Sequence, residues 1–187
     1  MSVLRSITCV ALLLLLPATS PVQAQTLSLW GDEAMTACDV LKEAPYQPFD
    51  LYVFLEPGAE GAFAVEYRLW APPGHFSTSQ VISPVVSGAT IGVWYGAPGI
   101  IAPFTSCQND LLWVCQLTMM SPDTDPNGYF LLPHAEDDFC GVAICPGDRP
   151  LRDAWVNNCF GFNVPCWHCF EYSNEETSWG AIKEMHK

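Results

Sequence analysis

The sequence predicts an all-β fold, an antiparallel β-sandwich that is held together by disulfides and followed by a short C-terminal helix. Short runs of aromatic and β-branched residues, which are typical of strands, recur along the chain. The chain contains 16 Pro and 13 Gly, and these residues interrupt almost every gap between the runs. Before the C-terminus, no apolar stretch keeps a helical period for more than about two turns. Together these observations favour a sandwich over an α/β fold, with a closed barrel as the alternative.

Two strands are predicted most clearly. Residues 49–56 are rich in aromatic and β-branched types and lead into Pro57 and Gly58, which favour a turn. Residues 63–70 place apolar side chains at every second position, which is the period of a strand with one buried face. Further strands are predicted at residues 27–30, 90–95, 111–119, 129–132, 141–144 and 154–159.

The N-terminus has the pattern of a secretory signal peptide. Arg5 precedes an apolar run at residues 7–16, and small residues stand before residue 25, as signal peptidase requires. The run is shorter than the 20 or so residues that a bilayer needs, so we expect cleavage and no membrane span afterwards. The protein is therefore expected to be secreted or to lie in the periplasm or cell envelope. The predicted parts are a signal peptide (1–24), a β-sandwich domain (25–170) and a polar linker with a helical tail (171–187).

The composition is acidic and apolar at once. The chain has 20 Asp and Glu against 7 Lys and Arg and a formal net charge of −13, so nucleic acid and anionic membranes are poor partners. Because only 14% of the residues are charged and 50% are hydrophobic, the sequence predicts a folded domain rather than a disordered acidic segment. We expect a monomer that binds an unknown protein or a glycan at the cell envelope.

The cysteine content predicts a disulfide-bonded protein. Of the nine cysteines, Cys9 would leave with the signal peptide. The number that remains is even, and an oxidising compartment favours cross-links, so we expect complete pairing as four disulfides. The sequence does not choose among the possible pairings. The candidates are Cys38, Cys107, Cys115, Cys140, Cys145, Cys159, Cys166 and Cys169.

Two other roles are open to Cys166 and Cys169, which are separated by two residues. A redox-active dithiol would need a helix N-terminus within a βαβ unit, and no such pattern surrounds the pair. A zinc site could combine them with Cys140 and Cys145, although only Cys166 and Cys169 have the usual spacing of metal ligands. Structural disulfides are therefore the favoured interpretation.

Residues 121–128 contain part of a calcium-loop pattern. Asp123, Asp125 and Asn127 occupy alternate positions, as the oxygen ligands of an EF-hand loop do. The twelfth position of the loop is His134 rather than Glu, and no helices are predicted on either side. A turn built from Asp, Pro, Asn and Gly is the favoured alternative. We expect no cofactor, with calcium as the weaker hypothesis.

The sequence contains no recognisable catalytic constellation. No Gly-x-Ser-x-Gly motif accompanies the histidines. Carboxylate pairs such as Asp137 and Asp138 resemble those of glycosidases, but with 20 acidic residues such pairs arise by chance. We therefore expect no enzymatic activity.

Seven tryptophans are the other unusual feature of the composition. Exposed rings on the face of a sandwich can stack on sugars, whereas buried rings fill a core. Filling the core is the favoured interpretation. Within one strand Trp94 and Tyr95 would point to opposite faces, so one of the two could be exposed.

The C-terminal residues predict a short amphipathic helix. Trp179, Ile182 and Met185 are spaced three apart and fall near one side of it. Because so short a helix is marginal in water, these side chains would have to dock on the domain or on a partner.

Two resemblances follow from these patterns. The strands at residues 49–53 and 63–69, which follow Cys38 and precede the Pro-Pro-Gly turn at residues 72–74, resemble small exported bacterial β-sandwich modules of the immunoglobulin-like or cohesin-like kind. The ending Thr-Ser-Trp-Gly-Ala-Ile-Lys at residues 177–183 is similar to that of short uncharacterised secreted proteins of environmental bacteria. The cohesin-like resemblance implies protein binding, and neither resemblance implies an activity.

The sequence as a whole predicts a non-catalytic binding module or structural component of the cell envelope, with an unknown ligand. A carbohydrate-binding module that uses exposed Trp and Tyr is the first alternative. A thiol–disulfide or metal-dependent enzyme is the second.

Overall fold

The computed structural model describes residues 24–88, 91–93, 95–135, 137–145, 150–157 and 159–165. Within these ranges the chain forms thirteen strands and no helix. The strands are β1 (Thr26–Trp30), β2 (Asp39–Val40), β3 (Phe49–Glu56), β4 (Ala62–Trp70), β5 (Phe76–Ile82), β6 (Ile91–Gly92), β7 (Ile100–Gln108), β8 (Leu112–Met120), β9 (Asn127–Leu132), β10 (Gly141–Ala143), β11 (Leu151–Asp153), β12 (Trp155–Val156) and β13 (Phe160–Phe162).

The strands form two sheets that pack face to face. The first sheet has five strands in the order β12-β1-β3-β8-β5. The second has eight, with the path β11-β10-β4-β9-β13-β2 and with β7 and β6 added beside β4. Most pairs are antiparallel, but β12 joins β1 and β13 joins β2 in parallel, which makes both sheets mixed. The predicted all-β sandwich is confirmed, with these two parallel pairs added to an antiparallel framework.

The core lies between the inner faces of the two sheets. On β3, Leu51, Val53 and Leu55 are fully buried, as a strand period of two requires. Aromatic rings join the sheets at one end, where the Phe49 ring centroid lies 5.7 Å from that of Tyr129 and 5.3 Å from that of Phe162. Such ring pairs add about 0.5–1.5 kcal/mol each beyond the area that they bury.

The clearest predictions from the sequence match the structure closely. The strand predicted at residues 49–56 is β3, and the one predicted at 63–70 is β4, which begins one residue earlier. Strands β1, β8, β9 and β10 also lie where predicted, within one or two residues. The segment predicted as one strand at residues 154–159 contains only the short β12, and β13 follows it in the other sheet.

Two long strands escaped prediction. β5 consists mostly of exposed hydroxyl and amide side chains, because it forms an edge of the first sheet and has no buried face to impose alternation. β7 contains Pro103, which pairs with Ala64 next to a register shift between Ala62 and Ala64. Proline is tolerated at such an irregularity because the regular ladder is already interrupted there.

The expectation of disulfides is confirmed for part of the chain. Cys107 at the end of β7 and Cys145 after β10 are bonded, with their Cα atoms 5.6 Å apart. Cys38 and Cys159 are disulfide-bonded as well. The cross-link between Cys107 and Cys145 ties β7 to the segment that follows β10, and both of these strands pair with β4.

The expectation of complete pairing is wrong for Cys115 and Cys140, which are free and buried. Cys115 lies on β8, and its Sγ is 3.4 Å from the Tyr67 hydroxyl of the opposite sheet. Burial raises the pKa of each thiol to about 12. Neither thiol is therefore ionised at neutral pH, and both act as small core side chains.

Several predicted features lie outside the described residues. They are the signal peptide, the Cys166–Cys169 pair and the helical tail with Trp179, Ile182 and Met185. In the part of the chain that the structure describes, no helix is long and apolar enough to cross a membrane.

The free thiols can be checked by alkylation without reductant. We expect Cys115 and Cys140 to resist iodoacetamide in the native protein and to react after unfolding in guanidinium, because burial both shields them and holds them protonated. Peptide mapping identifies the modified residues. Cys107 and Cys145 are the internal control, since they should react only after reduction. A disulfide-linked peptide that contains Cys115 or Cys140 would contradict this assignment.

Candidate binding surface

The four tryptophans that the structure describes do not fill the core, so the interpretation favoured by the sequence is wrong for these four. Trp30, Trp70 and Trp113 are half-buried, and Trp155 is 51% exposed. The large aromatic side chains that are fully buried are instead Tyr67, Phe104, Tyr129, Phe160 and Phe162. The other three tryptophans lie outside the described residues.

Three of these tryptophans share the outer face of the first sheet. Residues paired across a sheet point to the same side of it. Trp30 is paired with Tyr52, and Phe54 is paired with Trp113, at positions whose strand neighbours point into the core. Trp155 is paired with Thr26, while the next residue of β12 packs against the core. We call Trp30, Tyr52, Phe54, Trp113 and Trp155 the aromatic face.

The aromatic face has a buried layer of its own. Phe54 is only 4% exposed although it lies on the outer side of the sheet and outside the core cluster. The Tyr52 ring lies 6.2 Å from the Phe54 ring at an angle of 32°. Ser28, which is paired with Phe54, is 5% exposed. Two residues on the outer side of the sheet, Phe54 and Ser28, are therefore shielded from water, and Tyr52 and Trp30 are among the side chains that contact them.

The ring of Trp30 is fixed by a hydrogen bond. Its Nε1 donates to the hydroxyl of Ser28, at 3.0 Å. Ser28 stands two residues earlier on the same side of β1, so the indole lies along the strand rather than projecting away from it. Since this bond uses the indole N–H, the part of Trp30 that remains exposed is apolar.

Carboxylates surround the aromatic face, and its strands carry no cation. Burial raises the pKa of the Tyr52 hydroxyl, and the charges of Asp50, Glu33 and Asp32 raise it further. Asp50 accepts a hydrogen bond from Thr118, and Asp32 accepts others within its own loop, so both carboxylates already have partners in the fold. The five strands of this sheet contain no Lys or Arg.

A polar cluster on the outer side of the second sheet is a separate feature. Glu66 is 7% exposed, and burial raises its pKa, as does the neighbouring charge of Asp137. The Nδ1 atom of His134 lies 3.7 Å from Asp137. Glu66 Oε1, Arg68 Nε and His134 Nδ1 have no hydrogen-bond partner. Gly141 makes room for Glu66, because a Cβ there would lie 2.6 Å from Oε1.

A second network, around His75, is enclosed in the fold. His75 Nε2 lies 3.0 Å from the Ser121 hydroxyl, and Nδ1 is hydrogen-bonded to the Tyr129 hydroxyl. Ser121 donates its proton to the carbonyl of Asp123, so Nε2 carries the imidazole proton and Nδ1 accepts from Tyr129. Although a Ser–His contact is the geometry of an activated nucleophile, Ser121 is almost fully buried. The network therefore joins strands rather than meeting a substrate.

The predicted calcium ligands are engaged with their own loop. Asp123 Oδ1 accepts a hydrogen bond from the Asp125 amide at 3.1 Å, and Asn127 Nδ2 donates to the Asp125 carbonyl at 3.1 Å. These are the local bonds of Asx turns, which favours the turn interpretation. Among the described residues, no group of three or more His, Cys, Asp or Glu is arranged to hold a metal ion. Calcium binding stays an untested hypothesis.

Comparison with known proteins assigns no family. No family model matches the sequence, and no curated protein matches it significantly. Among solved structures, a chain of a type I cohesin–dockerin complex from Clostridium thermocellum is similar over 74% of this chain and 92% of that one, with a TM-score of 0.48 and 9% sequence identity. A similarity this low supports no inference about ligand or partner.

The stability of the protein should fall in mild acid because of His75. Burial lowers the pKa of His75 below its ordinary 6.5. Its neutral form contributes stability above the pKa of the unfolded chain, and this contribution is lost as the pH falls through 6.5 toward the folded pKa. Chemical unfolding between about pH 7.5 and pH 5.5 should therefore show less loss of stability in His75→Gln than in the wild type. Equal losses in the two proteins would refute this role.

Glu66 should have the opposite pH dependence. Because its pKa is raised in the folded protein, its protonated form contributes stability below the unfolded-state pKa of about 4.5, and this is lost as the pH rises through the folded pKa. Glu66→Gln should therefore raise the melting temperature at neutral pH and have little effect in acid. Glu43→Gln, at an exposed loop position, is the matched control. A destabilised Glu66→Gln protein at neutral pH would contradict the assignment.

Proposed function

We propose that this domain is a non-catalytic binding module of an exported protein and that the aromatic face is its binding surface. The observation that carries the proposal is the placement of three tryptophans and a tyrosine on one outer sheet face, above a buried Phe54. Aromatic side chains are costly to leave in water, and a contiguous exposed patch of them is typical of an interaction site.

Export is supported by two independent features. Residues 1–24 have the pattern of a cleavable signal peptide. The disulfide between Cys107 and Cys145 is a cross-link of a kind that forms and persists in oxidising compartments. A binding module outside the cytoplasm would meet proteins and glycans of the cell envelope, which are the two ligand classes that the sequence leaves open.

Catalysis has less support than binding. Ser121 is enclosed in the fold, and the free thiols of Cys115 and Cys140 are buried and protonated. The Glu66 cluster pairs two carboxyl groups, and the thiol near it, that of Cys140, is buried and protonated. A cluster of partly exposed aromatic rings is instead suited to holding a ligand without changing it.

The proposal predicts that binding to envelope material depends on the aromatic face. Purified mature protein should co-sediment with cell envelopes of the producing organism, and the double variant Trp30→Ala/Trp113→Ala should reduce the bound fraction by about tenfold or more, as loss of interface hot spots does. Trp70→Ala is the matched control, because Trp70 is a half-buried tryptophan on the outer side of the other sheet.

Two outcomes decide the matter. A folded double variant that co-sediments as well as the wild type would show that the aromatic face is not the binding surface. Reduced binding by Trp70→Ala to the same extent would assign the surface to the second sheet instead. Thermal unfolding of each variant identifies any that lose binding only because they lose the fold.

A further inference from the structure

We infer that the ligand of the aromatic face is a neutral, extended polysaccharide, an inference that rests on the proposed binding role of this face. It is drawn from the orientation of the rings, the charges around them, the side chains between them and the distance that they span.

Two of the exposed rings, those of Trp30 and Tyr52, have partners within the aromatic face before any ligand binds. The hydrogen bond from Trp30 Nε1 to Ser28 holds the indole along the sheet, and the Tyr52 ring lies beside that of Phe54 on the same face of β3. A sugar ring presents flat patches of C–H groups that pack on such a surface, while its hydroxyls point sideways. Because these aromatic side chains are already fixed, little side-chain entropy is lost on binding.

The charges exclude an anionic polymer. The strands that carry the aromatic face contain no Lys or Arg to pair with sulfate, phosphate or uronate groups. Asp50 and Asp32 keep their negative charge although they accept hydrogen bonds within the fold, so a polycation is the competing ligand, and the cationic probe below tests it. An uncharged polymer needs no ionic partner, and its hydroxyls can donate to side-chain oxygens such as that of Gln116.

The residues between the rings favour a sugar over a protein surface. The outward positions of β1, β3 and β12 hold aromatic or polar side chains, with Thr26 and Asp50 among the polar ones, while the neighbouring edge strand β5 adds the exposed Val81 beside Gln116. A protein interface would bury these polar groups, and a carboxylate buried without a cationic partner is costly. Sugar hydroxyls, by contrast, can form hydrogen bonds with these polar groups at short intervals along the chain, and water can still reach the groups around them.

The span of the rings requires more than one sugar unit. Neighbouring strands are about 4.8 Å apart, so Trp30 on β1 and Trp113 on β8 are separated by two intervals, or about 10 Å across the sheet. Trp155 on β12 and Trp113 are three intervals apart, about 14 Å. A single monosaccharide contacts one ring at a time, whereas an extended chain contacts several.

Affinity electrophoresis of the mature protein tests the inference. Hydroxyethyl cellulose, xylan and galactomannan serve as neutral probes, polygalacturonate as the anionic probe and chitosan as the cationic probe. We expect retardation by at least one neutral polymer, with little dependence on salt. Trp30→Ala should weaken it about threefold to tenfold, the range for the loss of one aromatic contact. Free monosaccharides should quench tryptophan fluorescence only weakly.

Two further variants separate recognition from folding. Ser28→Ala removes the hydrogen bond that orients Trp30 but keeps the ring, so it should weaken binding of the neutral polymer without abolishing it. Trp70→Ala should bind like the wild type. A Ser28→Ala protein that is folded and binds normally would overturn the role assigned to the fixed ring.

The outcomes distinguish this inference from the proposed function. Co-sedimentation that depends on Trp30 and Trp113, is abolished by protease treatment of the envelopes and occurs without retardation by any neutral polymer would identify a protein ligand. The inference would then be wrong while the binding role stands. Retardation only by chitosan or only by polygalacturonate would also overturn it. If neither polymer retardation nor co-sedimentation depends on these tryptophans, the proposed function itself fails.

Discussion

One extra residue in β8 determines which side chains of this strand point into the core and which point to the outer face of the first sheet. Val53 is paired with Cys115 and Phe54 with Trp113, so Val114 is an additional residue on β8. Counted in steps of two from the buried Leu117 and Cys115, Trp113 would point into the core. The bulge reverses the alternation and turns Trp113 to the outer side, beside Phe54. The core keeps both Val114 and Cys115, and the outer face gains a large ring.

The same bulge explains why the core and the aromatic face could not be predicted equally well. The strands at residues 49–56 and 63–70 were predictable because their side chains alternate without interruption. The bulge leaves no mark in the run Leu-Leu-Trp-Val-Cys-Gln-Leu, where any register looks apolar. The sequence also could not show that Cys115 is unpaired, because a disulfide requires two cysteine Cα atoms to lie within about 7 Å in the folded chain.

The exposed aromatic rings and the acidic groups occupy different parts of the outer face, with the carboxylates at its rim. Phe54 and Ser28 are almost fully buried on the outer side of the sheet, so part of the outer aromatic area is already removed from water in the free protein. Carboxylates at the rim keep the surroundings hydrated, and the net charge of −13 makes two copies of the chain repel each other. This repulsion opposes association of the chains through the patch.

The outer aromatic face and the core between the sheets contribute separately to the stability of the protein. Phe54 is buried on the outer face and is not part of the core between the sheets. Truncating a ring that contacts it would therefore expose Phe54 and leave the core contacts in place. A ligand that covers the exposed rings would shield Phe54 further and bind the folded state alone. The side chains that would hold a ligand are thus supported by strands β1, β3 and β8, whose opposite faces form the core. The packing of these core-facing side chains therefore holds the strands, and the binding surface that they carry, in place.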